Sequence, residues 1–112
     1  MANTLIPSVP VNLLSALTST ADTMSSSYAL PSNWANMGRP LVWQSIIVGS
    51  PSAISLQLQG ALNDVDAEYN VLDTSTLATG EMRHVTPLNI RFIRVRQASR
   101  TGGTSVTVVV NI

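Results

Sequence analysis

Apolar and polar residues alternate along much of the second half of the chain. In residues 54–58 each apolar residue is followed by a neutral polar one, and Gly60 comes shortly after. This pattern predicts a half-buried strand that ends near a turn. Residues 89–97 and the strongly β-branched residues 104–112 predict two more strands. Since residues 99–103 between them are rich in glycine and polar residues, we predict a closing β-hairpin.

Several other short apolar runs are bounded by turn-forming residues and show no convincing helical period. The complete set of predicted strands covers residues 39–48, 54–58, 69–72, 82–86, 89–97 and 104–112. Such a series predicts an all-β fold, either an antiparallel β-sandwich or a jelly-roll-like barrel. The adjacent apolar residues Phe92 and Ile93 break the alternation, which predicts either a bulge or a strand buried on both faces.

The N-terminal third has a different composition from the rest. Residues 1–37 hold a single charged residue, Asp22, and are rich in Ser, Thr, Asn, Ala and Pro. We therefore predict an extended N-terminal arm over residues 1–37, followed by a β-sandwich domain over residues 38–112. A short helix over residues 11–21 is an alternative within the arm, although its Ser and Thr content makes it marginal alone.

The arm is too apolar for a solvated tail, so we expect it to lie on a surface. That surface is either the chain's own sandwich or one supplied by a neighbouring subunit or a larger shell. On the second alternative, the candidate partner-contacting residues of the arm are Leu5, Ile6, Val9, Leu13, Leu14, Leu17, Trp34 and Met37.

The charge content narrows the class of protein. Charged residues make up 11% of the chain, its formal net charge is zero, and a typical share is about 25%. Every basic residue is arginine, a residue suited to interfaces. These features favour homo-oligomers or assembly into a larger particle, and they make nucleic acid an unexpected partner. We also expect no membrane span and no cleaved signal, because apolar runs are short and no basic residue precedes Arg39.

Residues suited to catalysis or metal binding are few. His84 is the only histidine, and we expect it at a surface or interface in an edge strand. Asp64, Asp66 and Glu68 alternate in a predicted loop, where they either form a solvated turn or converge on Ca²⁺. The loop lacks the glycine of an EF-hand, and the chain has no cysteine. We therefore predict a protein that is not an enzyme and has no cofactor and no metal site.

Aromatic residues offer one further candidate. Trp34, Trp43 and Tyr69 could together form a sugar-binding platform. Anchoring in the core or along the arm is the simpler interpretation of the two tryptophans.

Four segments carry a resemblance to a known family: residues 54–63 (ISLQLQGALN), 69–73 (YNVLD), 91–96 (RFIRVR) and 102–108 (GGTSVTV). They resemble the small β-sandwich module of tailed-bacteriophage structural proteins. This chain departs from that module at residues 63–66, where an Asp-Gly turn is usual, and at Tyr69, where Trp is common.

Together with the apolar arm, the resemblance implies a capsid decoration, or cement, protein. Such a protein would bind the assembled phage head and stabilise it where capsomers meet, with the major capsid protein as partner and a trimer as its favoured state. It would be made in the host cytoplasm and reside on the capsid surface of the virion. The alternatives are a tail, neck or fibre component and a carbohydrate-binding β-sandwich module.

Two arginines of one predicted strand are further candidates for contact with a partner. Arg94 and Arg96 lie on the same face of a regular strand, opposite to Arg91. They either meet acidic residues of a neighbour or form a solvated strand face.

Overall fold

The computed structural model describes residues 3–32, 34, 40–86 and 89–112. Strands in these residues form two sheets that pack face to face as a β-sandwich. The sandwich prediction is therefore confirmed, and the sheets do not close into the alternative barrel. Within the described residues no helix is long and apolar enough to cross a membrane.

One sheet has six strands in the described residues and is built around a long central pair. Its strands are β1 (Asn3–Thr4), β3 (Thr23–Met24), β4 (Tyr28–Ala29), β6 (Ala53–Ala61), β7 (Asn70–Ser75) and β9 (Phe92–Thr101). Their order is β1-β4-β9-β6-β7, and β3 also pairs with β9. All these pairs are antiparallel except the short parallel pair of β1 and β4.

The second sheet has four strands in the described residues. They are β2 (Val11–Leu17), β5 (Leu41–Val48), β8 (Met82–Val85) and β10 (Ser105–Asn111). They are arranged antiparallel in the order β2-β10-β5-β8. Five of the six predicted strands agree with an observed strand to within three residues at each end. The exception is the predicted strand over residues 89–97, which is observed as β9 and ends four residues later, at Thr101.

The core lies between the two sheets, where their inward-facing side chains meet. In β6 the residues Ile54, Leu56 and Leu58 are buried, and in β10 the residues Val106 and Val108 face them from the other sheet. This is the alternation that the sequence displays, and burial of these side chains supplies most of the driving force for folding.

The predicted closing hairpin is wrong, because β9 and β10 belong to different sheets. Their connection crosses the sandwich beside the connection of β5 to β6. Thr104 N donates to Val48 O at 2.8 Å, and Ser52 N donates to Thr101 O at 2.8 Å. Gly49 permits the close approach, since its φ is +88° and a Cβ there would lie 2.7 Å from Thr104 N.

The break in alternation at Phe92 and Ile93 reflects burial of the strand on both faces, the second of the two predicted explanations. The pairing of β9 with β6 is regular at these residues, and its register shift lies instead between Gln97 and Ser99. Ile93 and its neighbour Arg94 are both buried, so the strand is covered on both faces there. The reason is a loop that packs over the outer side of the sheet, as described below.

The N-terminal third is built into both sheets. Residues 11–17 form the edge strand β2 rather than the alternative helix, and they pair with β10. The short strands β3 and β4 pair with β9. The predicted boundary between Met37 and Gly38 lies outside the described residues.

Candidate interaction surfaces

The predicted arm contacts divide into buried and exposed residues. Four of them, Leu5, Leu13, Leu14 and Trp34, are buried in the chain's own core, and Leu17 packs partly buried against it. Ile6 and Val9 are exposed, and Met37 lies outside the described residues. The arm thus lies mainly on its own sandwich, which leaves Ile6 and Val9 available to a partner.

These two exposed residues belong to a turn that the rest of the chain holds in place. Val9 N donates to Ile6 O at 3.1 Å, and Ser8 N donates to Ile112 O at 2.8 Å. Ser8 has a φ of +64°, and Pro7 further restricts the backbone. The turn therefore presents Ile6, which is 60% exposed, on a restrained backbone.

Side chains of β9 hold the connection between β2 and β3. Arg96 donates to both carboxylate oxygens of Asp22, from Nε at 2.9 Å and from Nη2 at 2.5 Å. The buried Gln97 donates from Nε2 to the carbonyl oxygens of Ser19 and Ala21, each at 2.9 Å. The bond with Arg96 lowers the pKa of the Asp22 carboxyl below its usual value.

Arg100 completes this anchoring, and it is itself buried. Its guanidinium donates to the carbonyl oxygens of Leu17, Thr18 and Ser19 at 3.3, 2.7 and 3.1 Å. In the described part of the chain it has no carboxylate within ion-pairing distance. Backbone carbonyls therefore solvate this cation in place of water.

Arg94 lies on the outer side of the six-stranded sheet, under the loop of residues 62–69. It donates to Asp66 Oδ1 at 2.7 Å and to Gln59 Oε1 at 2.9 Å, and it stacks 3.9 Å from the ring centroid of Tyr69. The predicted strand-face arginines Arg94 and Arg96 thus meet acidic residues of the same chain. Their contact with a neighbour stays a prediction.

Tyr69 and Asp64 fix the same loop to the arm. The Tyr69 hydroxyl and the Ser27 hydroxyl donate to the two carboxylate oxygens of Asp64 at 2.8 and 2.9 Å. Those bonds, led by the one from Tyr69, lower the pKa of Asp64. Burial and the bond to Asp64 raise the pKa of Tyr69 to about 12.

A polar cluster joins the edge strands β7 and β8 of the two sheets. Arg83 donates to both oxygens of Asp73, at 2.8 and 2.9 Å, and to Glu81 at 3.1 Å. The buried Trp43 donates from Nε1 to Asp73 at 2.9 Å, and Ser75 donates to Glu81 at 2.7 Å. Burial alone would raise the pKa of Asp73, but the bonds from Arg83 and Trp43 outweigh it and lower that pKa.

All six acidic side chains accept hydrogen bonds from other side chains of the same chain. Five of them appear in the clusters above, and the sixth, Glu68, accepts from Asn63 at 3.1 Å. Asp64, Asp66 and Glu68, the alternative metal ligands of the loop, each bond different side chains of the chain. Among the described residues no group of three His, Cys, Asp or Glu side chains could hold a metal ion.

The outer face of the four-stranded sheet has no charged residue among its described positions. The residues that point outward from its strands, here called the neutral face, are Asn12, Val42, Gln44, Ile46, Val48, Met82, His84, Ser105, Thr107, Val109 and Asn111. Ile46, Val48 and Met82 are exposed large apolar residues within it. His84 lies exposed on the edge strand β8, as the sequence predicted.

The neutral face was not identified from the sequence. A signal for it exists, because every second residue of 42–48 and of 105–111 is uncharged. That signal can be interpreted only once the inward-facing set is known, since the intervening residues of both strands are uncharged too. Burial of Trp43, Val106 and Val108 resolves the choice.

The aromatic candidates do not form a platform. Trp34 and Trp43 are each 1% exposed, which confirms core anchoring as their role. One face of the Tyr69 ring is covered by Arg94. The three residues therefore offer no shared exposed aromatic surface for a sugar.

No protein-family model matches the chain, and no curated protein matches it. Among solved structures, the chain is similar to the SPBc2 prophage-derived protein YomS, at 10% identity and a TM-score of 0.54, covering 95% of this chain and 97% of that chain. A second structure, the Yersinia pseudotuberculosis-derived mitogen YPM, is 9% identical with a TM-score of 0.44, covering 94% of this chain and 85% of that chain. The likeness to YomS shows that the two proteins share an all-β fold along nearly their whole lengths.

Proposed function

We propose that this chain is a structural protein of a phage virion, a capsid decoration protein that binds the assembled head and stabilises it where capsomers meet. The observation that carries the proposal is that the acidic side chains are bonded within the chain while several large apolar side chains are exposed. All six carboxylates are engaged within the chain, while Ile6, Ile46, Val48 and Met82 are exposed.

This division suits a protein that adheres rather than one that stays dispersed. Its charges are few, and Arg83, Arg94 and Arg96 are paired with carboxylates of the same chain, so they give weak electrostatic protection against association. Exposed apolar residues, in turn, gain free energy when a partner covers them. The shared fold with a prophage-derived protein supports a phage setting for such a role.

Stabilisation of the head follows from mass action. A protein that binds the assembled shell but not its free subunits makes the assembled state more stable, by an amount that grows with the logarithm of its free concentration once that exceeds the dissociation constant. Many symmetric copies make weak individual contacts sufficient. We propose a homo-oligomer, with a trimer favoured, and the major capsid protein as partner.

The test is cosedimentation of the purified protein with intact heads and with unassembled major capsid protein from the phage that encodes it. We expect saturable binding to heads, little binding to free subunits, and a higher temperature of head disruption when the protein is bound. Binding to isolated tails in place of heads would instead support a tail, neck or fibre component.

A further inference from the structure

We propose that the neutral face is the docking surface, and that its partner is an uncharged, repeating protein surface of the kind that an assembled head presents. This inference rests on the proposed function and assigns the contact to one side of the molecule. The opposite side, the outer face of the six-stranded sheet, carries the ion pairs of Arg94 and Arg96.

The neutral face mixes apolar and hydrogen-bonding side chains in a regular way. Register places Gln44 beside Val109 and Ile46 beside Thr107 on the neighbouring strands β5 and β10. A partner can therefore meet methyl groups and neutral donors or acceptors in alternation. Such a surface excludes water from apolar contacts while its amides and hydroxyls still find partners.

A groove on this face offers a specific anchoring point. It has a volume of about 290 Å³ and is lined by Pro10, Val42, Gln44, Met82, Val109 and Asn111. Met82 is 65% exposed, and its flexible side chain can adapt to an inserted group. Pro10, at one side of the groove, directly follows Val9 of the turn described above. The groove suits an aliphatic or aromatic side chain of the partner.

Charge determines which class of partner fits. Nucleic acid and anionic lipid surfaces are bound chiefly through Lys and Arg, and the neutral face has neither. A protein surface bearing many charges would have to desolvate them with no opposite charge to pair with. An uncharged protein surface avoids that cost.

Area distinguishes a repeating partner from a single second copy. Three strands of seven or eight residues and one of four residues, about 4.8 Å apart, cover about 400 Å². Stacking two such faces buries roughly 800 Å² in total, below the range of about 1,200–2,000 Å² for stable complexes. The face alone therefore gives weak pairwise binding, which becomes effective when the linked copies of an oligomer bind a repeating surface together.

The test introduces charge into the face and measures binding to intact heads. We expect Ile46→Arg and Val48→Arg each to weaken binding roughly tenfold or more, because docking would bury an unpaired charge. The matched control is Val71→Arg, in β7 of the other sheet. Val71 is 50% exposed and Val48 is 53% exposed, so the two valine variants perturb folding similarly. We expect the control to bind like the unmodified protein.

A salt series adds an independent result. Wild-type binding is expected to change little between about 0.05 and 0.5 M NaCl, since no ion pair forms across the interface. Steep loss of binding with salt would overturn the neutral docking surface.

The outcomes separate this inference from the proposed function. If the unmodified protein binds heads and both face variants bind equally well, the docking surface is wrong and the proposed function stands. If the unmodified protein binds no heads, both the proposed function and the head surface as its partner are wrong. If the unmodified protein forms dimers that Ile46→Arg abolishes, the occupant is a second copy, which overturns the head surface as the partner.

Discussion

At the scale of single residues, the ionic groups act mainly as internal connectors. Arg83 and Asp73 connect the edge strands of the two sheets, and Arg94 holds the loop of residues 62–69 through Asp66. Exposed ion pairs contribute little to stability. The Asp73 pair is different because the buried Trp43 also donates to its carboxylate, so loss of that carboxylate would leave the indole N–H in the core without a partner.

Acid is expected to destabilise the protein partly through Asp73. Its pKa is lower in the folded chain than its ordinary value of 3.8, so the unfolded chain binds the proton more readily. This contribution to stability is present above that ordinary value and is lost as pH falls through the folded value. Thermal unfolding from neutral pH to about pH 2 should show the midpoint falling in acid.

The variant Asp73→Asn tests whether Asp73 contributes to the loss of stability in acid. We expect it to lower stability by about 1–3 kcal/mol at neutral pH and to make the decline in acid shallower. A decline in acid as steep as that of the unmodified protein would show that Asp73 does not contribute to it.

Core burial of the arm can also be tested at one residue. Leu14 is 5% exposed, so Leu14→Ala should cost roughly 2–5 kcal/mol of unfolding free energy, measured by chemical denaturation. Ile6, at 60% exposed, serves as the control, and Ile6→Ala should change stability by less than about 0.5 kcal/mol. Equal small effects would contradict the placement of Leu14 in the core.

At the scale of elements, strand identity could be predicted from the sequence far better than strand partnership. The alternation in residues 54–58 and 104–112 depends on each strand's own buried face, and those strands are found. Pairing depends on contacts between distant segments. The glycine-rich connection after Thr101 permits either a hairpin or a crossing between sheets, and its hydrogen bonds to residues 48–52 favour the crossing.

Dependence on distant contacts also explains why the sequence did not predict a strand within the arm. Residues 11–17 show no regular alternation, because two register shifts in the pairing of β2 with β10 interrupt it. Ala16 has a φ of +46° and donates its N–H to the Thr107 side chain at 3.0 Å, an irregularity typical of a bulge. With its period disturbed in this way, the segment resembles an irregular arm or a marginal helix.

The connection from β2 to β3 depends on Arg100. Replacing it with leucine would remove the guanidinium donors from the carbonyl oxygens of Leu17 and Thr18, while Ser19 keeps its bond from Gln97, at a cost of roughly 1–3 kcal/mol. Arg91→Leu is the control, since Arg91 is exposed. Hydrogen exchange should show faster opening of β2 and β3 in Arg100→Leu alone. Unchanged protection there would contradict the anchoring role.

At the scale of the whole molecule, the two outer faces differ in character. The six-stranded sheet is overlaid by a loop and by ion pairs, while the four-stranded sheet presents uncharged side chains. Composition indicated an association-prone surface but could not locate it, because a charge count carries no position. Identifying the neutral face required knowing which alternate residues of each strand face the core.

Deletion of residues 1–37 would not by itself test the arm as a contact surface. Removing residues 1–37 would take away the edge strand β2 and the buried residues Leu5, Leu14 and Trp34. We expect the truncated protein to lose its cooperative thermal transition, so its loss of binding would say little about the arm as a contact. Substitution of Ile6 and Val9 by serine tests that contact without removing core residues.

The central claim is that the protein decorates the phage head. The most direct measurement is antibody-gold labelling of intact particles of the encoding phage, viewed by electron microscopy. The proposal predicts label distributed over the whole head surface. Label confined to the tail or neck, or particles without label, would contradict it.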